Sequence, residues 1–262
     1  MDGEMVRGSR AWSATRFPDV VVYTGGRVPA IERERFAGAV GRLLGRLDVR
    51  GAVRLRITAP ARGPMVIQVN LRIGETAARV QTLTRRDGDA LSTVVRLERQ
   101  IAALRGTRQP RPWPDPTRRP LDTPGPGRLV RRKPVQVVTG HPSGAAAVMD
   151  AMDYDTHLFI DTDTGEDAIV YRAGPSGLRL ARCRSVHPLL PAPGGPWPFT
   201  VNPRPAPPLT EAGAVARLCE HGLPFLFYTD PGTGRGRLLY RRYDTDLALV
   251  LPDDDAAAVI TS

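Results

Sequence analysis

Cysteine is scarce in this chain, with two residues among 262. Cys183 and Cys219 lie far apart and form no Cys-x-x-Cys pair, so the sequence favours neither a disulfide framework nor a zinc site. The four histidines have neither ligand nor triad spacing, and no candidate nucleophile has a base in a recognisable pattern. We therefore expect no enzyme, no metal, no cofactor and no small-molecule substrate.

Long apolar runs are also missing. No run approaches the roughly 20 residues that a membrane-spanning helix needs. The first residues, MDGEMVRGSRAWSATRF, do not contain the apolar core of a secretory signal. These features predict a cytoplasmic protein without a membrane partner.

Lysine is almost missing, since Lys133 is the one lysine beside 36 arginines. The net charge of +10 is unevenly distributed. Residues 1–104 carry 18 basic against 10 acidic residues, residues 105–133 carry 9 against 2, and residues 134–262 carry 10 against 15. A basic half beside a mildly acidic half favours a polyanion binder joined to a module with another task. The alternative is a solvated arginine-rich surface.

Residues 19–104 carry the periodicities of the order β-α-β-β-β-α. AVRLRIT (52–58) and MVIQVNLRI (65–73) alternate apolar and polar residues, as half-buried strands do, and segments 29–47 and 89–104 have the apolar spacing of helices. Residues 1–18 are predicted to be a flexible arm. Segment 105–133 has seven prolines, which predicts an extended basic linker.

The strand alternation predicts a polar sheet face that points away from the helices and carries donors with almost no acid. Guanidinium groups on such a face suit phosphate contacts, so we expect it to bind RNA, although a solvated outer face has the same pattern. Arginines on the helices and the loop 85–89 extend this basic set. The predicted RNA-binding residues are Arg42, Arg46, Arg54, Arg56, Gln68, Asn70, Arg72, Arg79, Arg85, Arg86, Arg96 and Arg99.

The second half of the chain repeats one unit of about 50 residues. HLFIDTDTGEDAIVYR (157–172) returns as FLFYTDPGTGRGRLLYRR (225–242), and each hairpin follows a helix and precedes a strand. The copies are predicted at 134–187 and 199–251, joined by 188–198 and followed by a tail, 252–262. Matching residues of the two copies are predicted to lie 67 positions apart before the turn and 69 positions apart after it, which assigns two extra residues to the second turn.

The first turn, DTDTGED (161–167), faintly resembles a calcium loop through the carboxylates Asp161, Asp163 and Asp167. It lacks the spacing and the terminal glutamate of an EF-hand, and the second copy has Tyr228, Asp230 and Arg235 in the matching turn, so the full set of acids is not needed for its shape. We favour a hairpin turn in both copies, with Gly165 and Gly234 in left-handed conformations.

The whole layout resembles the long-form ribosome hibernation-promoting factors. The resemblance rests on the β-α-β-β-β-α order, the helix ending VVRLERQIAAL, the proline-rich basic linker and LVRRKPVQVV…AVMDAMDYDTHLFIDTDTGEDAIVYR…GLRLARC. It is strongest at residues 128–181. The doubled module is similar in layout to the mycobacterial hypoxia-induced ribosome-associated factors.

The resemblance implies an α+β fold: a double-stranded-RNA-binding-like domain, a linker and two small αβ domains. It implies a stress-response or dormancy factor that binds the small ribosomal subunit and its ribosomal RNA in the decoding region, where transfer RNA and messenger RNA would sit. Two alternatives remain at this point. One is a stress-linked protein–protein adaptor, and the other is a homodimerising factor that links two ribosomes.

The doubled module predicts pairing within one chain, and hence a monomer. The short connection gives an effective concentration on the order of millimolar. The copies have also diverged, with Glu166 matching Arg235 and Asp167 matching Gly236, which suits a heterologous pair. Asp161 is matched to Tyr228. The predicted pairing residues are Phe159, Tyr171, Phe225, Phe227 and Tyr240.

Overall fold

A computed structural model describes residues 11–14, 16–60, 64–84, 90–106, 125–173, 177–189 and 199–253. The chain divides into two units, one formed by Met1–Gln109 with Ala151–Asp153 and the other by Pro110–Asp150 with Tyr154–Ser262. Both contain helices packed on sheets, so the α+β fold class is confirmed. Within the described residues, no helix combines the length and the hydropathy required to span a bilayer.

The first unit is a five-stranded sheet with two helices on one face. Its elements are β1 Trp12–Ala14, β2 Phe17–Gly26, α1 Ala30–Arg46, β3 Val53–Ala59, β4 Met65–Ile73, β5 Thr76–Thr84 and α2 Leu91–Arg105. The sheet order is β1-β2-β3-β4-β5. β2 and β3 are parallel and are connected by α1, whereas the other neighbours are antiparallel. The order predicted for residues 19–104 is therefore present.

The predicted flexible arm is partly a strand, because β1 pairs with β2. Two aromatic side chains explain this difference: Trp12 and Phe17 both pack against the core of the first unit. Phe17 lies so close to α1 that a Cβ on Gly41 would stand 2.4 Å from the ring. Residues 1–10 lie outside the described part of the chain.

The core of the first unit follows the alternation in the sequence. β3 buries Val53, Leu55 and Ile57, which pack with α1 and α2, while the residues between them face the other way. α1 adds Phe36 and Val40 to this core. The helices therefore cover one face of the sheet and leave the opposite face to the polar residues.

The second unit contains two sheets and two helices. Its elements are β6 Leu129–Val135, β7 Thr139–Gly140, α3 Pro142–Ala151, β8 Thr156–Asp161, β9 Asp167–Arg172, β10 Leu178–Arg182, β11 Phe199–Val201, α4 Glu211–Glu220, β12 Phe225–Thr229, β13 Gly236–Arg241 and β14 Leu247–Pro252. The sheet orders are β11-β10-β9-β8-β7 and β12-β13-β14-β6. The predicted linker therefore ends earlier than 133, since residues 129–133 belong to β6; residues 107–124 are not described.

The two copies exchange their leading strands. β6 begins the first copy but lies parallel to β14 of the second copy, and β11 begins the second copy but lies parallel to β10 of the first. Each sheet is completed only by a segment of the other copy, so neither sheet is complete without both halves of the repeat.

The structure also corrects the predicted offset between the copies. In both turns an aspartate carbonyl accepts from a glycine N–H four residues on: Gly165 N to Asp161 O at 2.7 Å, and Gly234 N to Asp230 O at 2.8 Å. The two turns therefore have equal length, and equivalent residues are 69 positions apart throughout. Asp161 corresponds to Asp230 and not to Tyr228.

Three apolar clusters hold the second unit together. One lies between α3 and its sheet, and one lies between α4 and its sheet. The third joins the two sheets face to face through residues of both copies: Leu158, Ile169, Ala181, Cys183, Ala206, Phe227 and Leu238. The unit is thus a helix, two sheets and a second helix in successive layers.

Candidate functional site

The outer face of the first sheet carries two rows of polar side chains across three strands. Pairing places Asn70 opposite both Arg54 and Arg79, and Gln68 opposite both Arg56 and Gln81. Neighbouring strands lie about 4.8 Å apart, so each row is a compact set of donors. Among the described strand residues that face this way, Asp19 in β2 is the one carboxylate.

Hydrogen bonds and ring contacts hold several members of this face in place. Gln68 donates to Gln81, and Arg79 donates to the same Gln81 oxygen. The Arg54 guanidinium lies over the Tyr23 ring, 5.8 Å from its centroid. Arg54 and Arg56 are nevertheless exposed to solvent. A positively charged, partly ordered face of this kind can contact the phosphates of RNA.

Arg72 lies beyond these rows, near the turn between β4 and β5. Its Nη2 donates to the Glu75 carbonyl at 2.8 Å and to the Glu75 carboxylate at 3.2 Å. The Arg72 side chain is 63% exposed and that of Glu75 is fully exposed. Exposed pairs of this type contribute little stability, so Arg72 can exchange Glu75 for a phosphate at little cost.

The helix residues of the predicted RNA-binding set, Arg42, Arg46, Arg96 and Arg99, do not lie on this face. Arg42, Arg46 and Arg99 are exposed on the helices, and Arg46 pairs with Glu98 at 2.9 Å. Arg96 is buried, and its guanidinium pairs with the Asp153 carboxylate: Nη2 donates to Oδ1 at 2.7 Å and Nε donates to Oδ2 at 3.2 Å. Arg96 therefore does not belong to an exposed basic surface. Arg85 and Arg86 lie outside the described residues.

Tyr23 is a member of the outer face that the sequence analysis missed. It pairs with Arg56 across the β2–β3 ladder and contacts Arg54 through its ring. Alternation was the available signal, since Val20 and Val22 are buried and Tyr23 must then point outward. An aromatic ring among arginines adds a surface on which an unpaired base can stack.

The predicted pairing residues of the doubled module fall into three groups. Tyr171 and Phe225 meet edge to face between the sheets, with ring centroids 5.3 Å apart, and Phe227 is buried in the same inter-sheet cluster. Phe159 packs instead in the cluster beneath α3. Tyr240 contacts Lys133 of the exchanged strand β6, whose ammonium lies 4.9 Å from the ring centroid.

Comparison with known proteins identifies the family. Residues 125–180 match the family model described as Sigma 54 modulation/S30EA ribosomal protein C terminus. The chain is 52% identical over 252 residues to the dormancy associated translation inhibitor of Mycobacterium tuberculosis, in strains CDC 1551 and H37Rv, covering 94% of this chain and 92% of that protein. The chain belongs to the long-form ribosome hibernation factor family.

The match to the hibernation factor family covers β6 to β10. It thus includes the first copy together with the leading strand that pairs with the sheet of the second copy. In this hibernation factor, the segment recognised as one family domain does not form one complete sheet, because β11 completes the sheet of the first copy.

The acidic turn of this hibernation factor is a hairpin turn, as predicted. Gly165 and Gly234 have positive φ values of 67° and 69°. The Asp161 carboxylate is fully buried and accepts from Arg182 Nε at 2.6 Å, so it is engaged within the fold. Among the residues that the structure describes, no group of three or more His, Cys, Asp and Glu side chains is arranged to hold a metal ion.

Burial shifts the pKa values of one cysteine and one histidine of this hibernation factor, Cys183 and His157. Burial raises the pKa of the Cys183 thiol to about 11, which keeps it protonated at neutral pH. Burial lowers the pKa of His157. Cys183 packs between the two sheets as a small apolar group.

Proposed function

We propose that this protein inhibits translation by binding the small ribosomal subunit in the decoding region, where it takes the place of transfer RNA and messenger RNA. Membership of the hibernation factor family supports this proposal, as does 52% identity to a protein named as a translation inhibitor. Inhibition by occupancy needs an RNA-binding surface and no catalytic group.

The outer face of the first sheet is the observation that carries the proposal. Arg54 and Arg56 are exposed at alternate positions of β3, on the same face of the sheet. Gln68 and Asn70 lie beside them on β4. These donors point away from the apolar core, so phosphate binding would not disturb the fold. Tyr23 supplies a ring within the same patch.

The second unit supports action on single ribosomes. The inter-sheet cluster buries Leu158, Ile169 and Phe227 between the two copies of one chain. A factor that linked two ribosomes through these faces would need them free for a second chain. The proposal is therefore a monomeric inhibitor, with the paired modules acting as one body.

The test compares two triple variants of the full chain. The first replaces Arg54, Arg56 and Arg72 by Ala, and the second replaces three exposed arginines of the second unit, Arg179, Arg204 and Arg217. Both change the net charge equally, so non-specific attraction falls equally. Ribosome co-sedimentation and inhibition of cell-free translation are measured at several salt concentrations.

We expect the first variant alone to lose binding and inhibition. If three phosphate contacts are removed, the slope of log K against log salt becomes shallower by about 2 to 3. Equal losses in the two variants would refute a specific role for this face. Full binding by both would instead favour the helix arginines Arg42, Arg46 and Arg99, or the protein–protein adaptor. A ribosome-dimer peak in sucrose gradients would contradict action on single ribosomes.

A further inference from the structure

Asp167 of the first copy contacts its own equivalent, Gly236, in the second copy. The two positions are 69 residues apart and both begin a strand, β9 and β13. Asp167 Oδ2 accepts from Gly236 N at 2.8 Å and from Arg235 Nε at 2.7 Å, and Oδ1 accepts from Arg235 Nη2 at 3.2 Å. A position that meets its equivalent lies on the approximate two-fold axis that relates the copies.

The contact leaves no room for a side chain at position 236. A Cβ added to Gly236 would lie 2.7 Å from the Asp167 Cβ and 2.8 Å from Phe227 Cε2. The Asp167 side chain is 4% exposed, so its charge depends on the three donors of the second copy. The aspartate and the glycine are therefore complementary in both shape and hydrogen bonding.

Pairing of like copies would lose this complementarity. Two first copies would bring Asp167 against a second Asp167, with Glu166 where the structure has Arg235. Buried like charges without a counter-ion are strongly unfavourable. Two second copies would place Gly236 against Gly236, leaving a gap and two Arg235 side chains without the carboxylate.

We propose that Asp167, Arg235 and Gly236 form a lock that decides the pairing partner of each module. The lock favours pairing of a first copy with a second copy. It disfavours the pairing of two first copies or of two second copies, through which separate chains would associate. The proposal concerns the second unit alone and stands whether or not the first unit binds ribosomes.

Two full-chain variants test partner choice directly. Variant X carries Phe227→Leu, Arg235→Glu and Gly236→Asp, so both copies have the acidic form of the lock. The leucine matches Leu158 of the first copy and removes the ring that would meet the new side chain at position 236. Variant Y carries Glu166→Arg and Asp167→Gly, so both copies have the arginine–glycine form. The two are expressed separately and together with different tags, and masses are measured by light scattering after size-exclusion chromatography.

The lock predicts that co-expression of X and Y yields a 1:1 complex of twice the 28.5 kDa chain mass. It also predicts that the wild-type chain remains at 28.5 kDa and that neither variant alone forms the complex. If X and Y remained separate monomers with wild-type unfolding midpoints, the lock would have no part in pairing and the proposal would fail.

Variant Y also removes the Glu166 carboxylate, which accepts from Arg184 N at 2.7 Å. A second measurement therefore leaves Glu166 unchanged. In the full chain, Asp167→Arg should lower the unfolding midpoint of the second unit because two guanidiniums then face each other. Adding Arg235→Asp should recover most of the loss by reversing the pair. A double variant no more stable than Asp167→Arg would overturn the proposal, even if X did not fold.

Discussion

Replacing Arg182 by Leu tests the buried ion pair that supports the acidic turn of the first copy. The Arg182 and Asp161 side chains are 1% and 0% exposed, and Arg182 Nη1 also donates to the His187 carbonyl at 2.8 Å. Leucine is the residue at the equivalent position of the second copy, Leu251, so the replacement suits the strand. There the equivalent aspartate, Asp230, pairs instead with Arg237.

The expected loss follows from leaving one buried charge without its partner. Unit charges about 4 Å apart attract by about 4 kcal/mol at an effective dielectric constant of about 20. Removing one partner of a buried pair generally costs about 3–5 kcal/mol. We therefore expect Arg182→Leu to lower the free energy of unfolding of the second unit by about 3–5 kcal/mol.

Urea unfolding followed by hydrogen exchange separates the second unit from the first. Arg179→Leu is the matched control, since Arg179 is an exposed arginine on the same strand, and it should change stability by less than about 0.5 kcal/mol. Adding Asp161→Asn to Arg182→Leu should recover much of the loss, because the unpaired charge is removed. A loss below about 1 kcal/mol for Arg182→Leu, or no recovery in the double variant, would refute the reasoning.

Two further predictions concern the cores of the units. Leu97→Ala, at a fully buried position of α2, should destabilise the first unit by about 2–5 kcal/mol in urea unfolding. The control, Arg99→Ala, changes an exposed residue of the same helix and should have little effect. Equal effects of the two replacements would contradict the assigned inner face of α2. The pKa of the Cys183 thiol is raised from 9.0 to about 11 in the folded state. The stabilisation that comes from burying the protonated thiol should therefore be complete below pH 9 and be lost as the pH rises to about 11. Alkaline unfolding of Cys183→Ala should lack that component, and an identical pH profile in both proteins would disprove it.

The outer face of the first sheet was predictable because its signal is local. In a strand, side chains alternate between the two faces, so the buried Leu55 and Ile57 require Arg54 and Arg56 to point outward. The same rule places Tyr23 on this face, since its neighbour Val22 is buried, but an uncharged ring carries no signal of phosphate binding. The burial of Arg96 has no local signal, because it depends on an ion pair with Asp153, 57 positions further along the chain.

The sequence by itself determined the elements and the repeat of this protein. Strand alternation, helical spacing and the two Thr-Gly hairpins depend on backbone geometry within a few residues, and all are present in the structure. Family membership follows from the same residues.

Tertiary structure decided which segments pair and which side chains meet. A short strand such as β6 or β11 has no local feature that chooses between two similar sheets, and the choice depends on which open edge the whole chain brings near it. The contact of Asp167 with Arg235 and Gly236 joins residues nearly 70 positions apart, and it exists only because the two sheets pack face to face.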